Sequence, residues 1–183
     1  YNDYEQTYSD NWWEKLKHGT AAYGVFWNSA KENGLGDVDI REIDLLKLFW
    51  EPGVTDIQKS RNLFIVDLVD EDLLEQQYPE HKGHLSGGAV DVKQYIYDDT
   101  IDTSNKSVVV DWYYKRPDET GRMVLHYCKF CNGVVLYASE NDPALAGRGF
   151  YDHGKYPFVF DPMFRVKGTP CGFGYIDIGK GAQ

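Results

Sequence analysis

The stretch that decides the fold reads Val108-Val109-Val110-Asp111-Trp112-Tyr113-Tyr114, turns through Pro117 to Gly121, resumes from Met123 to Cys131, and reverses at Asn132-Gly133 into Val134-Val135-Leu136-Tyr137-Ala138. Side chains of an extended chain alternate between faces, so Val108, Val110, Trp112 and Tyr114 share one face of a strand. β-Branched and aromatic residues fill such pleated surfaces well. Asn-Gly suits the type I′ hairpin turn, whose two central residues both need positive φ. The pattern predicts a three-stranded antiparallel meander between Val108 and Ser139.

Working outward toward the N-terminus, Leu63 to Val69 reads as another strand. Asp70 is placed to cap a short helix that carries Leu73, Leu74 and Tyr78 and stops at Pro79. Ala21-Ala22-Tyr23-Gly24-Val25-Phe26-Trp27 reads as a strand, followed by a Gly/Asn-rich turn around Asn33 to Gly36. Val38, Ile40 and Ile43 then form the other arm of a hairpin, which Pro52-Gly53 closes off. Ser9-Asp10-Asn11 offers N-caps to a helix holding Trp12, Trp13 and Leu16, with Gly19 in the C′ position. Lys15, Lys17 and His18 sit where cations complement the helix dipole. From His81 to Lys106 the chain is polar and Gly-punctuated, with one short strand around Val90 to Tyr97. Residues 79–107 read as an internal boundary or mobile excursion. Toward the C-terminus, Tyr156 to Phe160 and Tyr175 to Ile178 are expected to be strand-like, joined by Pro/Gly-rich connectors. The expected class is α+β, with antiparallel sheets, a few short helices and a single domain over residues 1–183.

The 183 residues carry 42% hydrophobic and 15% aromatic side chains, including 14 Tyr and 5 Trp. A protein of this length buries roughly 70% of its unfolded surface, enough for an ordinary core. The aromatic excess suggests broad, half-buried surfaces with polar rims. The net charge of −10 opposes a phosphate-gripping role, which needs basic patches. Direct DNA binding is therefore not expected, although an acidic wall that DNA slides past fits the charge. Three cysteines make no disulfide framework, and no apolar run approaches the ~20 residues of a membrane span. The chain starts at Tyr1 without Met and stops at Gly181-Ala182-Gln183 just after an apolar segment, so it reads as a piece of a longer protein.

Candidate chemistry is sparse. Cys128-Lys129-Phe130-Cys131 is a CxxC with His126 just upstream and Cys171 far away. Zinc needs four ligands that converge, whereas residues three apart on a regular strand point oppositely. His126 and Cys128 do share a face, which raises a Cys–His nucleophile pair. Such a pair needs an exposed, electropositive setting, and mid-strand neighbours such as Val124, Tyr127 and Phe130 suggest packing instead. Asp152-His153 lies in a Gly-flanked loop that could orient an imidazole, but no third catalytic partner is evident. Asp67, Asp70, Glu71, Asp72 and Glu75 form one acidic cluster and Asp98, Asp99 and Asp102 another. Neither matches an EF-hand loop. Gly172-Phe173-Gly174 is too short for a dinucleotide fingerprint, and no phosphate-cradling loop is present. No catalytic, cofactor-binding or metal residue is assigned, and the protein is not expected to be an enzyme.

Several segments follow one another in a telling order: Tyr23 to Trp27, Gly36-Asp37-Val38-Asp39-Ile40, Phe49-Trp50-Glu51-Pro52-Gly53, Asp56-Ile57-Gln58-Lys59-Ser60, and the Trp112-Tyr113-Tyr114 meander. Then come Tyr151-Asp152-His153-Gly154-Lys155-Tyr156-Pro157-Phe158-Val159 and the Gly168 to Gly174 connector. Over about the whole chain this order resembles the wing region of tailed-bacteriophage portal proteins, prophage type. There a strand pair and a meander precede an HG-x-x-P-F/I-V strand, and a connector leads into the stem helices.

The resemblance implies an α+β wing on the outside of a homo-oligomeric ring at one capsid vertex. Such a ring passes double-stranded DNA during packaging and ejection, docks the terminase, and later joins the neck and tail. The implied localisation is the virion, with the host cytoplasm during assembly, and no membrane or cofactor is implied. Two rivals remain. A carbohydrate-binding or adhesion module would show a solvent-facing row such as Trp27, Trp50 and Trp112. A hydrolase-like enzyme would gather Asp152, His153 and a cysteine in a cleft.

Overall fold

The computed structural model describes residues 4–86 and 104–180. The architecture is α+β, built from antiparallel sheets and a few short helices. The protein divides into two compact units. Unit 1 comprises Tyr1–Leu45, Glu51–Ser60 and Tyr156–Gln183, and unit 2 comprises Leu46–Trp50 and Arg61–Lys155.

Unit 2 holds the meander. Strands β5 (Lys106–Pro117), β6 (Met123–Cys131) and β7 (Val134–Ala138) pair in sequence order. β3 (Leu48–Trp50) and β4 (Asn62–Asp70) extend them into a sheet of order β3-β4-β5-β6-β7. Asn132 and Gly133 take φ of 47° and 76°, as the hairpin reading requires. Register places Phe64 opposite Trp112 and Tyr114 opposite His126 on one face. Leu63 opposes Tyr113 on the other face, and Tyr113 opposes Tyr127. Leu63 and Leu125 are fully buried, each contributing roughly 1.5–3 kcal/mol by leaving water. Helix α2 (Glu71–Gln77) follows β4 and buries Leu74 against Leu85, Val109 and Cys131.

Unit 1 holds β1 (Thr20–Asn28), β2 (Asp37–Glu42) and β8 (Phe158–Pro162) in the order β2-β1-β8. The short pair β9 (Phe164–Arg165) and β10 (Gly172–Phe173) lies beyond it in sequence. Helices α1 (Tyr4–His18) and α3 (Tyr175–Lys180) complete the unit.

Three expectations are corrected. Ser9, Asp10 and Asn11 do not cap α1, which already begins at Tyr4 among the described residues. Side-chain pairs at i,i+4 carry that first part instead: the Gln6 amide donates to Asp10 at 2.8 Å, and Asn11 Nδ2 donates to the Thr7 carbonyl at 2.8 Å. Tyr4, Tyr8 and Trp12 meet along the same spacing, the first pair tilted and the second edge-to-face, with ring centroids 6.2 Å apart at both steps. The Tyr175 to Ile178 segment is helical, not strand-like. The Asp177 carboxylate accepts from the Gly174 N–H at 3.1 Å, the side-chain-to-backbone half of a capping box. Asp70 holds the N-cap position of α2 but its carboxylate makes no capping hydrogen bond. The Glu71 N–H is taken by the Asn105 carbonyl at 2.9 Å, and the Asp70 carboxylate lies 3.4 Å from Lys106 Nζ. The Val90 to Tyr97 strand falls outside the described residues, as does most of 79–107.

Candidate functional site

Most of the segments singled out for their order lie interlocked in unit 1. Tyr23 to Trp27 lies in β1. The Gly36 to Ile40 segment enters β2, pairing Trp27 with Val38 and Val25 with Ile40. The HG-x-x-P-F/I-V segment delivers β8 to the other side of β1, pairing Tyr23 with Val159 and Gly24 with Phe158.

Gln58, from the Asp56 to Ser60 segment, fastens this last strand. It follows Asp56, whose carboxylate accepts from the Gln58 N–H at 3.0 Å and starts a single 3-10 turn over Ile57–Lys59. The Gln58 amide then behaves as a short strand would. Its Oε1 accepts from the Tyr156 N–H at 2.9 Å, while Nε2 donates to the Tyr156 carbonyl at 3.0 Å and the Phe158 carbonyl at 3.3 Å. The Tyr156 hydroxyl donates to the Ser60 carbonyl at 2.9 Å, and Ser60 Oγ accepts from the Glu51 N–H at 3.1 Å. Burial, with the Glu51 charge adding to it, pushes the Tyr156 phenol far above its usual range. It therefore stays a neutral donor.

The Gly168 to Gly174 connector is seated on the α1–β1 corner. Gly172 N–H donates to Thr20 Oγ1 at 2.7 Å, and Met163 N–H to the Gly19 carbonyl at 2.8 Å. Gly19 ends α1 with φ of 81° and its N–H on the Lys15 carbonyl at 3.0 Å. A Cβ there would lie 2.5 Å from the Phe173 carbonyl carbon. Directly after this connector comes α3, whose Tyr175, Ile176 and Ile178 are all exposed.

In unit 2 the structure separates the two cysteines of the CxxC. Cys128 opposes Trp112 on one face of β6, while Cys131 opposes Val109 on the other. The only register shift of the β6–β7 pair puts the extra residue, Leu136, in β7, so β6 keeps its alternation. Cys131 packs with Leu74, Leu85 and Val109, its Sγ 3.4 Å from the Leu85 carbonyl. Burial raises both thiol pKa values, with the Glu140 charge adding at Cys128 and Glu71 at Cys131. Cys171, in unit 1, is raised by burial as well. Among the described residues no three His, Cys, Asp or Glu side chains converge for a metal.

His126 shares the Cys128 face and is fully buried. Its Nδ1 lies 3.1 Å from Ser139 Oγ, which also accepts the Tyr127 N–H at 3.0 Å. Among the described residues Nε2 has no partner. Burial lowers the His126 pKa and Arg116 adds to that, against the opposing Glu140 charge. Glu140 accepts from the Tyr114 hydroxyl at 2.7 Å and from Arg116 at 2.9 Å. A cleft of about 450 Å³ between the β5–β6 turn and the Ala146-Gly147 loop lies over this cluster. The sequence offered no sign of this polar group, because its three parts, Tyr114 with Arg116, His126, and Ser139 with Glu140, lie apart in sequence and meet only through strand register.

Asp152 and His153 are exposed and on separate errands. Asp152 lies 3.4 Å from Arg148, and His153 Nδ1 accepts the Lys155 N–H at 3.0 Å while its ring stacks on Tyr151. Phe150 anchors this loop against Tyr113 and Tyr127, on the face opposite Cys128. Four of the five residues of the first acidic cluster are paired: Asp67 meets Lys47 at 3.0 Å, Asp70 meets Lys106 at 3.4 Å, Glu71 accepts from Ser107 Oγ at 3.0 Å, and Glu75 accepts the Gly83 N–H at 3.0 Å. Asp98, Asp99 and Asp102 lie outside the described residues.

The three tryptophans named for a sugar-stacking row differ. Trp27, in unit 1, is 63% exposed. In unit 2, Trp50 is half-buried, and Trp112 stacks between Phe64 at 5.8 Å and Tyr114 at 4.2 Å while Nε1 donates to Asn62 at 3.1 Å. No helix among the described residues is long and apolar enough to cross a membrane. No protein-family model matches the sequence, and no curated protein matches it.

Proposed function

We propose that this protein is a structural, non-catalytic segment of a tailed-phage portal subunit, a wing that works as part of a homo-oligomeric ring at the capsid vertex. The supporting observation is the interlocking in unit 1. Segments scattered from Tyr23 to Gly174 form one sheet, one Gln58 bracket and one connector. An order of segments that resembles a family gains weight when the segments also hold one another in place. The connector runs straight into a short helix with three exposed apolar side chains, which supports the reading of a connector that leads into stem helices.

In this reading the segment helps to wall a channel for double-stranded DNA without gripping it. Its net charge of −10 favours sliding over adhesion. The terminase, the capsid and the neck and tail proteins meet the complete subunit, in the host cytoplasm during assembly and in the virion afterwards. Disrupting the gene in its phage tests the role. Capsids that assemble but contain no DNA and carry no tail are expected, whereas full, tailed particles would overturn it.

A further inference from the structure

The protein holds two Asn-Gly steps, Asn33-Gly34 and Asn132-Gly133, and the structure treats them differently. Asn-Gly is the dipeptide in which the following backbone nitrogen is least shielded, because glycine has no Cβ. At Asn132 the side-chain amide is pinned: Nδ2 donates to the Ser86 carbonyl at 2.9 Å and to the His84 carbonyl at 3.3 Å. Its backbone closes the hairpin between β6 and β7, whose pairing begins at Cys131 and Val134.

Asn33 lies in the β1–β2 loop, exposed, and its side chain makes no hydrogen bond among the described residues. Glu32, Asn33 and Gly34 take φ of 51°, 57° and 92° in succession. That run of left-handed residues is strained for Glu32 above all. A Cβ on Gly34 would meet nothing within 4 Å, so the loop has room to rearrange around this step. The local bonds that fold this loop are short-range: Gly34 N–H to the Lys31 carbonyl at 3.1 Å and Leu35 N–H to the Glu32 carbonyl at 3.2 Å. Opening them disturbs no strand pairing, and loops of this kind open at the low end of a protein's local stability.

We propose that Asn33 is a site of spontaneous backbone modification in the folded protein, and that Asn132 is protected from the same reaction. The Gly34 nitrogen attacks Asn33 Cγ and a new C–N bond forms. The bond between Cγ and the Asn33 amide nitrogen Nδ2 breaks, and ammonia leaves with the proton given up by Gly34. Water then opens the cyclic imide at one carbonyl to give aspartate or at the other to give isoaspartate. No oxidant or reductant takes part. The product adds a carboxylate to a turn that leads into β2, which carries Asp37 and Asp39, and as isoaspartate it lengthens the backbone of the β1–β2 connection.

The test is a time course of the intact protein at mildly alkaline pH, native and in denaturant, followed by peptide mapping with mass spectrometry and isoaspartyl methyltransferase labelling. In the native protein the Asn33 peptide is expected to gain the amide-to-acid mass change and methyl acceptance at close to its denatured rate. The two side-chain bonds of Asn132 should slow its conversion in the native protein by roughly tenfold or more relative to denaturant. Equal native rates at the two sites, conversion of Asn132 first, or an Asn33 that stays intact while the denatured protein reacts would each overturn the proposal.

Discussion

Gln58 does with one side chain what a neighbouring strand normally does with its backbone, meeting the Tyr156 N–H and the Tyr156 and Phe158 carbonyls together. Replacing it with alanine leaves the backbone groups of two buried residues without these partners, at about 1 kcal/mol per lost bond. Gln58→Ala should therefore lower stability by about 2–3 kcal/mol in urea titration, with the slope unchanged; a loss under about 0.5 kcal/mol, the usual range of surface changes, would contradict the bracket. His126 makes a second prediction at this scale. Its folded pKa is depressed by burial, so the folded state holds the neutral ring while the unfolded state protonates near the ordinary value of about 6.5. The stabilisation is fully present above about pH 6.5 and is lost as pH falls below it toward the folded pKa. Urea midpoints measured down that range should fall in the parent protein and fall less in His126→Gln. Identical pH slopes would remove His126 from the account.

At the scale of elements, the α1–β1 corner depends on Gly19 twice over, for its left-handed φ and for the closeness of Phe173. Gly53 shares nearly the same φ, 82°, with nothing near a would-be Cβ. Gly53→Ala should thus cost only the conformational penalty of about 1–2 kcal/mol. Gly19→Ala should cost clearly more, read as a larger drop in thermal midpoint, since backbone must move; equal drops would show that the corner tolerates displacement. The same elements show what the sequence discloses. The meander was legible because period-two apolar runs and an Asn-Gly turn act within a few residues of one another. The β1–β2 hairpin was legible for similar reasons. The start of α1 was hidden because Ser9-Asp10-Asn11 looks like a cap cluster, while the competing signal was aromatics spaced by four, Tyr4, Tyr8 and Trp12. The apolar, β-branched look of Tyr175 to Ile178 suggested a strand, and the Gly174–Asp177 cap, a three-residue signal, outweighed it. The Gln58 bracket and the His126–Ser139 pair were not legible, since their partners stand 98 and 13 residues apart and meet only once the sheets have set their register.

At the scale of the whole molecule, acidity and aromatic richness favour contacts between proteins over contacts with nucleic acid. The protein should show no shift of duplex DNA in gels at micromolar concentration and physiological salt, because its net charge of −10 opposes the neutralisation of phosphates that such binding needs. A shift that weakens with added salt would mean a basic site exists. On its own this segment should sediment as a monomer or weak oligomer, because the ring contacts of the proposed assembly are shared with the rest of the subunit. The central claim is that this segment is one wing of a ring. Electron microscopy of the complete gene product tests it most directly: closed rings with an axial channel, carrying this segment on their outer rim, are predicted. A particle that stays monomeric, or an assembly without a channel, would contradict the claim.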